Sequence, residues 1–171
     1  MLAVFSDTHT SAAPRLSKRE RATLQGADIV LHAGDFTGEE SHDSFEQRSA
    51  RLIAVHGNSD DRRLRERLSS VEIVEWNGWR IVLAHGHEHD RTALPLLGRE
   101  HEADLAIIGH THRPGVEWLG DLPVVNPGSH ATPRGGPATY ATLSNEEAAL
   151  TVEIRTVEGR VTERQRLLDD E

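Results

Sequence analysis

Residues 28–35 read Asp-Ile-Val-Leu-His-Ala-Gly-Asp. An apolar run without alternation stops abruptly at a histidine, two small residues and a carboxylate. A run this short fits a strand buried on both faces, because a half-buried strand would alternate and a helix would need more length. The same arrangement recurs along the chain. Residues 2–5 (Leu-Ala-Val-Phe) precede Ser6-Asp7-Thr8-His9, and residues 52–55 (Leu-Ile-Ala-Val) precede His56-Gly57-Asn58-Ser59-Asp60. Residues 81–84 (Ile-Val-Leu-Ala) precede His85-Gly86-His87, and residues 105–108 (Leu-Ala-Ile-Ile) precede Gly109-His110-Thr111-His112. Charged stretches at about 15–25, 42–49, 61–69 and 92–102 have helical composition. Alternation of strand and helix predicts an α/β domain with a largely parallel sheet.

The texture elsewhere is different. Val71–Glu75 and Trp79–Ala84 flank Trp76-Asn77-Gly78, which is a hairpin signal. Residues 115–119, 122–126, 138–144, 148–157 and 160–167 read as strands separated by Gly, Pro and Asn turns, the last two joined at Glu158-Gly159. They predict a second, mainly antiparallel sheet packed on the first. No repeat, linker or low-complexity tract interrupts the 171 residues, so one domain over 1–171 is expected, with Asp169-Asp170-Glu171 as a frayed acidic tail.

Composition narrows the chemistry. Without cysteine, disulfides, thiol catalysis and thiolate metal sites are excluded. A net charge of -9 argues against a broad phosphate-binding surface, so stable nucleic-acid binding is not expected. No apolar run approaches the roughly 20 residues that cross a bilayer, and the N-terminus lacks signal-peptide features. A cytoplasmic protein without membrane contact is expected. Eleven histidines stand out in a chain with one tyrosine.

The residues after the five apolar runs carry those histidines. Strand carboxyl ends of a parallel sheet line one edge, where ligands bind. Asp oxygens and His nitrogens delivered there suit borderline and hard divalent ions. In Asp7-Thr8-His9 and His110-Thr111-His112, extended backbone would put both outer side chains on one side. Asp-x-His, Gly-Asp, Gly-Asn or Gly-His-x-His is weak alone; the ordered set is the signal.

That ordered set resembles the calcineurin-like metallophosphoesterase superfamily over about residues 1–135. Residues 27–35 and Asn126-Pro127-Gly128-Ser129, with Arg134 after them, look like its small single-domain phosphodiesterase branch. The resemblance implies a four-layer α/β/β/α sandwich of two mixed sheets flanked by helices. It implies a first metal ion on Asp7, His9, Asp35 and His112, and a second on Asp35, Asn58, His85 and His110, with Asp35 bridging. A hydroxide shared by two cations would attack phosphorus in line. Manganese is the expected ion, with nickel, iron and zinc also suited to these ligands. The substrate would be a small phosphodiester, with monoesters open, and dimers are common in the branch.

One departure matters. Many members carry histidine after the Gly-Asn pair, where it protonates the leaving group; this chain has Ser59. His87 is the replacement candidate, with Asp60 holding the neighbouring geometry. His32 and His56 are expected as supports packed at strand ends. His42, His89, His101 and His130 are expected in solvent, and Asp61 as a helix cap or a solvated charge. Arg134 would meet a substrate phosphate or a surface carboxylate. Three other readings stay open: a non-catalytic metal-binding scaffold of the same fold, a nuclease or protein phosphatase, and a mononuclear hydrolase.

Overall fold

A computed structural model describes residues 1–146 and 149–168. The acidic tail therefore lies outside the described residues. Among these residues, eleven strands and four helices follow in the order β1 (Leu2–Phe5), α1 (Lys18–Gly26), β2 (Ile29–His32), α2 (Glu39–Arg48), β3 (Leu52–Ala54), α3 (Arg62–Arg67), β4 (Val71–Trp76), β5 (Trp79–Ala84), α4 (Ala93–Glu100), β6 (Leu105–Ile107), β7 (Gly115–Leu119), β8 (Leu122–Asn126), β9 (Thr139–Glu146), β10 (Ala149–Thr156) and β11 (Val161–Leu168). No helix among the described residues is long and apolar enough to cross a membrane.

The strands are divided between two mixed sheets differently from the division the sequence predicts. One sheet has the order β11-β10-β9-β1-β2-β3 and the other β4-β5-β6-β8-β7. The five apolar runs thus do not share one sheet: β1, β2 and β3 lie in the first, β5 and β6 in the second. Nor do the later strands form a sheet of their own. β7 and β8 extend the second sheet, while β9 returns to pair antiparallel with β1, Leu2 opposite Leu143. The physical reason is that a run buried on both faces reports a central strand without reporting its neighbours. The 71–84 hairpin pairs β4 with β5 inside the second sheet. Its Asn77 and Gly78 both have positive φ, 50° and 87°, as a type I′ turn needs.

Three apolar clusters fill the spaces between four layers. The central one joins inward residues of both sheets, including Leu2, Val4, Leu31, Trp76, Trp79, Leu83, Ile107 and Leu150. Phe5, Leu24, Phe36, Phe45, Leu64 and Tyr140 pack α1, α2 and α3 on the outer face of the first sheet. Val82, Leu94, Ala106 and Val124 pack α4 on the outer face of the second. Strands β1 and β6 give residues alternately to an inner and an outer cluster, which explains their unbroken apolarity. Local signals mark the helix starts. Ser17 and Glu20 make a capping box on α1, and the Asp61 side chain accepts from the Leu64 N–H to cap α3.

Candidate metal centre

The parallel strands β1, β2 and β3 of one sheet, and β5 and β6 of the other, release their chains toward a common region between the sheets. Asp7 and His9 follow β1, Asp35 follows β2, Asn58 follows β3, His85 follows β5, and His110 and His112 follow β6. The site is therefore a seam where two sheet edges meet.

Backbone conformation sets the side-chain directions there. Asp7, His9, Asp35, His110 and His112 all have positive φ, between 46° and 66°. Left-handed turns bring Asp7 Oδ1 and His9 Nε2 to 3.7 Å, and both the Asp7/His9 and His110/His112 pairs lack the extended backbone expected from the sequence. L-residues pay about 1–2 kcal/mol each for that conformation, and such strain collects at functional sites. The loops also pass so closely that two glycines have no room for a side chain. A Cβ at Gly57 would stand 2.1 Å from Asp35 Oδ1, and one at Gly109 would stand 1.9 Å from Ser6 Oγ and 2.7 Å from Asp7 Oδ2.

Asp7 is wholly buried, and its two carboxylate oxygens differ. Oδ2 accepts from Ser6 Oγ (2.7 Å) and from the His110 N–H (3.0 Å). Oδ1 is buried without a hydrogen-bond partner and lies 3.2 Å from His112 Nε2 and 3.7 Å from His9 Nε2. His112 Nδ1 is 2.6 Å from the Thr132 carbonyl, which can only accept, so Nδ1 carries the proton and Nε2 presents a lone pair. His9 Nε2 is 3.1 Å from that same nitrogen. The His112 lone pair, a carboxylate oxygen and a second imidazole nitrogen thus converge on one point.

The second group repeats this logic. His85 Nδ1 is 2.6 Å from the Ala33 carbonyl and must donate to it, which leaves Nε2 as an acceptor. That Nε2 faces Asp35 Oδ2 at 3.3 Å and Asn58 Oδ1 at 3.2 Å. Asp35 Oδ2 is also 3.5 Å from His9 Nε2, so one oxygen stands between the two groups; Oδ1 accepts from the Ser59 N–H at 2.7 Å. His110 stacks edge-on against His85 with ring centres 5.2 Å apart.

Electrostatics agree with a site built for positive charge. Burial alone would raise the Asp35 carboxyl, but His85 and the Ser59 N–H more than offset it and hold it well below the usual carboxylate range. Burial pushes His85 down, yet Asp35 beside it leaves it raised; Asp7 likewise raises His9. Among the described residues, Asp7, His9 and His112 form one cluster whose ligand atoms lie within 4.8 Å of one another, and Asp7, Asp35 and His85 form another. An ion about 2.1 Å from each ligand separates neighbouring ligand atoms by roughly 3.0–3.4 Å. Several of the observed spacings fall near that range.

Asp60 and His87 sit differently. Asp60 is 2 % exposed, and its carboxylate accepts from the Asp35, Thr37 and Gly57 N–H groups. It ties the 34–37 turn to the 57–60 turn and faces no open space. The His87 ring centre is 5.3 Å from that of His85 and 6.3 Å from that of His110. Burial, then the neighbouring His85, lower its pKa, and its Nδ1 is buried without a partner. His56 lies beside it, ring centres 6.3 Å apart. Arg134 is exposed and lines a cleft with Arg113.

Two histidines expected in solvent are buried. His42 is 3 % exposed on α2, edge-on to Phe36, and His130 is 7 % exposed, edge-on to Phe5 and Phe45. His89 and His101 are half-buried. His130 carried no local signal because its contacts, Phe5, Thr8, Glu20 and Phe45, all belong to the first third of the chain. The neighbouring support was equally hidden: Ser129 Oγ donates to the Asp7 carbonyl at 2.7 Å.

The family model for the calcineurin-like phosphoesterase superfamily domain matches residues 1–148. A "probable metallophosphoesterase" of Methanocaldococcus jannaschii is 36 % identical over 152 residues, covering 86 % of this chain and 77 % of that protein. A phosphodiesterase of the same organism is 29 % identical, covering 85 % and 93 %. Among solved structures, the phosphoesterase YfcE of Escherichia coli superposes with a TM-score of 0.72 at 26 % identity, covering 96 % and 97 %. Vps29 of Entamoeba histolytica, complexed with zinc, gives 0.75 at 25 % identity, covering 97 % of each chain.

Proposed function

Because the chain belongs to the calcineurin-like phosphoesterase superfamily, we propose that it is a metal-dependent hydrolase of a small phosphodiester, with a pair of divalent cations at the seam between its sheets. Asp7, His9, Asp35 and His112 would hold one cation; Asp35, Asn58, His85 and His110 would hold the other. The observation that carries this reading is the buried, partnerless Asp7 Oδ1, set against His112 Nε2, whose ring proton is committed to the Thr132 carbonyl on the other nitrogen. The Asp35 oxygen between His9 and His85 supports a shared ligand. When bound, divalent cations supply charge that activates water near neutral pH and offsets the charge building on a transferring phosphoryl group. Manganese is our assignment; zinc is the alternative that the Vps29 relative favours.

The remaining roles follow from the chain's own groups. Asp60 holds the two turns that aim Asp35 and Asn58 and is a positioning residue. His87, whose ring stands beside those of His85 and His110, is our proton donor in place of the missing histidine at Ser59. The exposed Asn58 and His110 leave that side of the centre open to substrate.

The likeness to Vps29, a sorting protein, favours one other reading, a scaffold that binds metal without turnover. Chelation followed by reloading with manganese or zinc, assayed on an aryl phosphodiester, separates the two. Hydrolysis that returns with metal, and falls by at least about 10²-fold in Asp35→Asn, is the expected outcome. Stoichiometric metal uptake with no hydrolysis would establish the scaffold instead.

A further inference from the structure

Beneath the metal centre, on the side away from solvent, lies a row of polar groups with no place in the reaction. The Gly34 N–H donates to His32 Nδ1 at 3.2 Å. His32 Nε2 is 2.8 Å from Thr8 Oγ1, and Thr8 Oγ1 is 2.9 Å from His130 Nε2. His130 Nδ1 lies 3.0 Å from Glu20 Oε1, with both side chains 2 % exposed. The other Glu20 oxygen accepts from the Ser17 N–H at 2.6 Å in the α1 capping box. The walls are aromatic. Phe36 stacks on His32 at 3.6 Å, and Phe5 and Phe45 stand edge-on to His130 at 5.7 and 5.9 Å.

The protons in this row are fixed by elimination. A backbone N–H can only donate, so His32 Nδ1 accepts and its Nε2 carries the hydrogen. Nε2–H then donates to Thr8 Oγ1. The Thr8 hydroxyl proton has one acceptor left, His130 Nε2. His130 therefore carries its hydrogen on Nδ1, toward the Glu20 carboxylate, although that last contact is off the line of a full hydrogen bond.

We infer that Thr8, His32 and His130, anchored at Glu20, form a buried positioning relay that locks the two left-handed loops bearing Asp7, His9 and Asp35. Thr8 stands between Asp7 and His9 in sequence, and Gly34 directly precedes Asp35, so the relay grips each loop at the residue beside its ligands. Its role is mechanical. Each ligand loop holds a conformation that costs free energy, and the apolar walls leave no water to replace a lost partner. Supports of this kind tune metal affinity by about 10–100-fold. This inference rests on the metal-binding reading above.

The test is titration of zinc into metal-free full-length protein, comparing wild type, Thr8→Val and Thr8→Ser. Thr8→Val keeps the shape and removes the hydroxyl, so zinc binding should weaken by about 10–100-fold while Thr8→Ser restores most of it. Nitrogen-15 spectra of the wild-type histidines supply a readout that a merely packed residue would not move. They should show the Nε2–H tautomer at His32 and the Nδ1–H tautomer at His130. Thr8→Val binding zinc as tightly as wild type, or the opposite tautomer at His32, would overturn the relay. Should Thr8→Val fail to fold, the tautomers alone decide. Wild-type protein that takes up no zinc would sink the metal reading itself, a result distinguishable from failure of the relay alone.

Discussion

The two halves of the metal centre are built to different standards. Around Asp7 and His112, nearly every polar group is fixed. Asp7 is gripped through its side chain by Ser6 and the His110 N–H and through its carbonyl by Ser129, and His112 is held by Thr132. Asp7 is wholly buried and His112 is 5 % exposed. Around His85 the arrangement is looser. His85 itself is anchored on Ala33, but Asn58 and His110 are exposed, and among the described residues Asn58 is steadied only by His85 and a long contact to Ser59. A preorganised pocket binds an ion with little reordering, whereas flexible ligands lose freedom on binding. The first half should therefore hold its cation more tightly, and the open half should be the one that meets substrate.

The difference can be broken from the rigid side first. Gly109→Ala drives a Cβ into Ser6 and Asp7. A clash with the buried Ser6 side chain and a buried carboxylate should cost about 1–3 kcal/mol of stability by chemical denaturation and weaken the tighter metal step. A variant as stable as wild type would mean that these loops yield freely.

The open side should respond more selectively. Asn58→Ala is expected to weaken only the looser of two metal-binding steps, by about 10-fold, and to leave melting of the metal-free protein unchanged. Calorimetric titration resolves the two steps, and equal weakening of both would erase the asymmetry.

The smallest effect concerns acid. Burial, then His130 and His42, hold His32 well below the usual histidine pKa. In the unfolded chain His32 takes up a proton near pH 6.5, whereas in the folded protein it resists, so the unfolded state binds more protons and stability falls as pH drops below that value. The slope contributed is at most about 1.4 kcal/mol per pH unit. His9 and His85 have raised values and act in the opposite direction, so the comparison is with His32→Asn, whose carboxamide oxygen can still accept from Gly34. Urea midpoints of the metal-free proteins between pH 7 and 5 should converge as pH falls. Parallel curves would show that folding does not hinder protonation of His32.

The uneven legibility of the molecule follows the same line. The elements were readable because each is dictated locally. Strands announce themselves as short apolar runs, α1 starts at a Ser-x-x-Glu box, and the 71–84 hairpin turns on Asn-Gly. The residues now found around the seam were readable as well, since each follows a strand that a parallel arrangement points one way. Membership of a strand in one sheet or the other was not readable, because β9 pairs with β1 across more than 130 residues and no local feature encodes that register.

The sequence alone thus determined the order of elements, the polar residues that end each parallel strand, and the absence of thiol chemistry. The tertiary structure decided that the site is a seam between two sheets, that its side chains are aimed by left-handed turns, and that His130 reaches across 122 positions to support Thr8. The first kind of information resides in neighbouring residues, whose propensities and periodicity act within a few positions. The second arises from packing and hydrogen bonds between distant segments, which exist only once the chain has closed on itself.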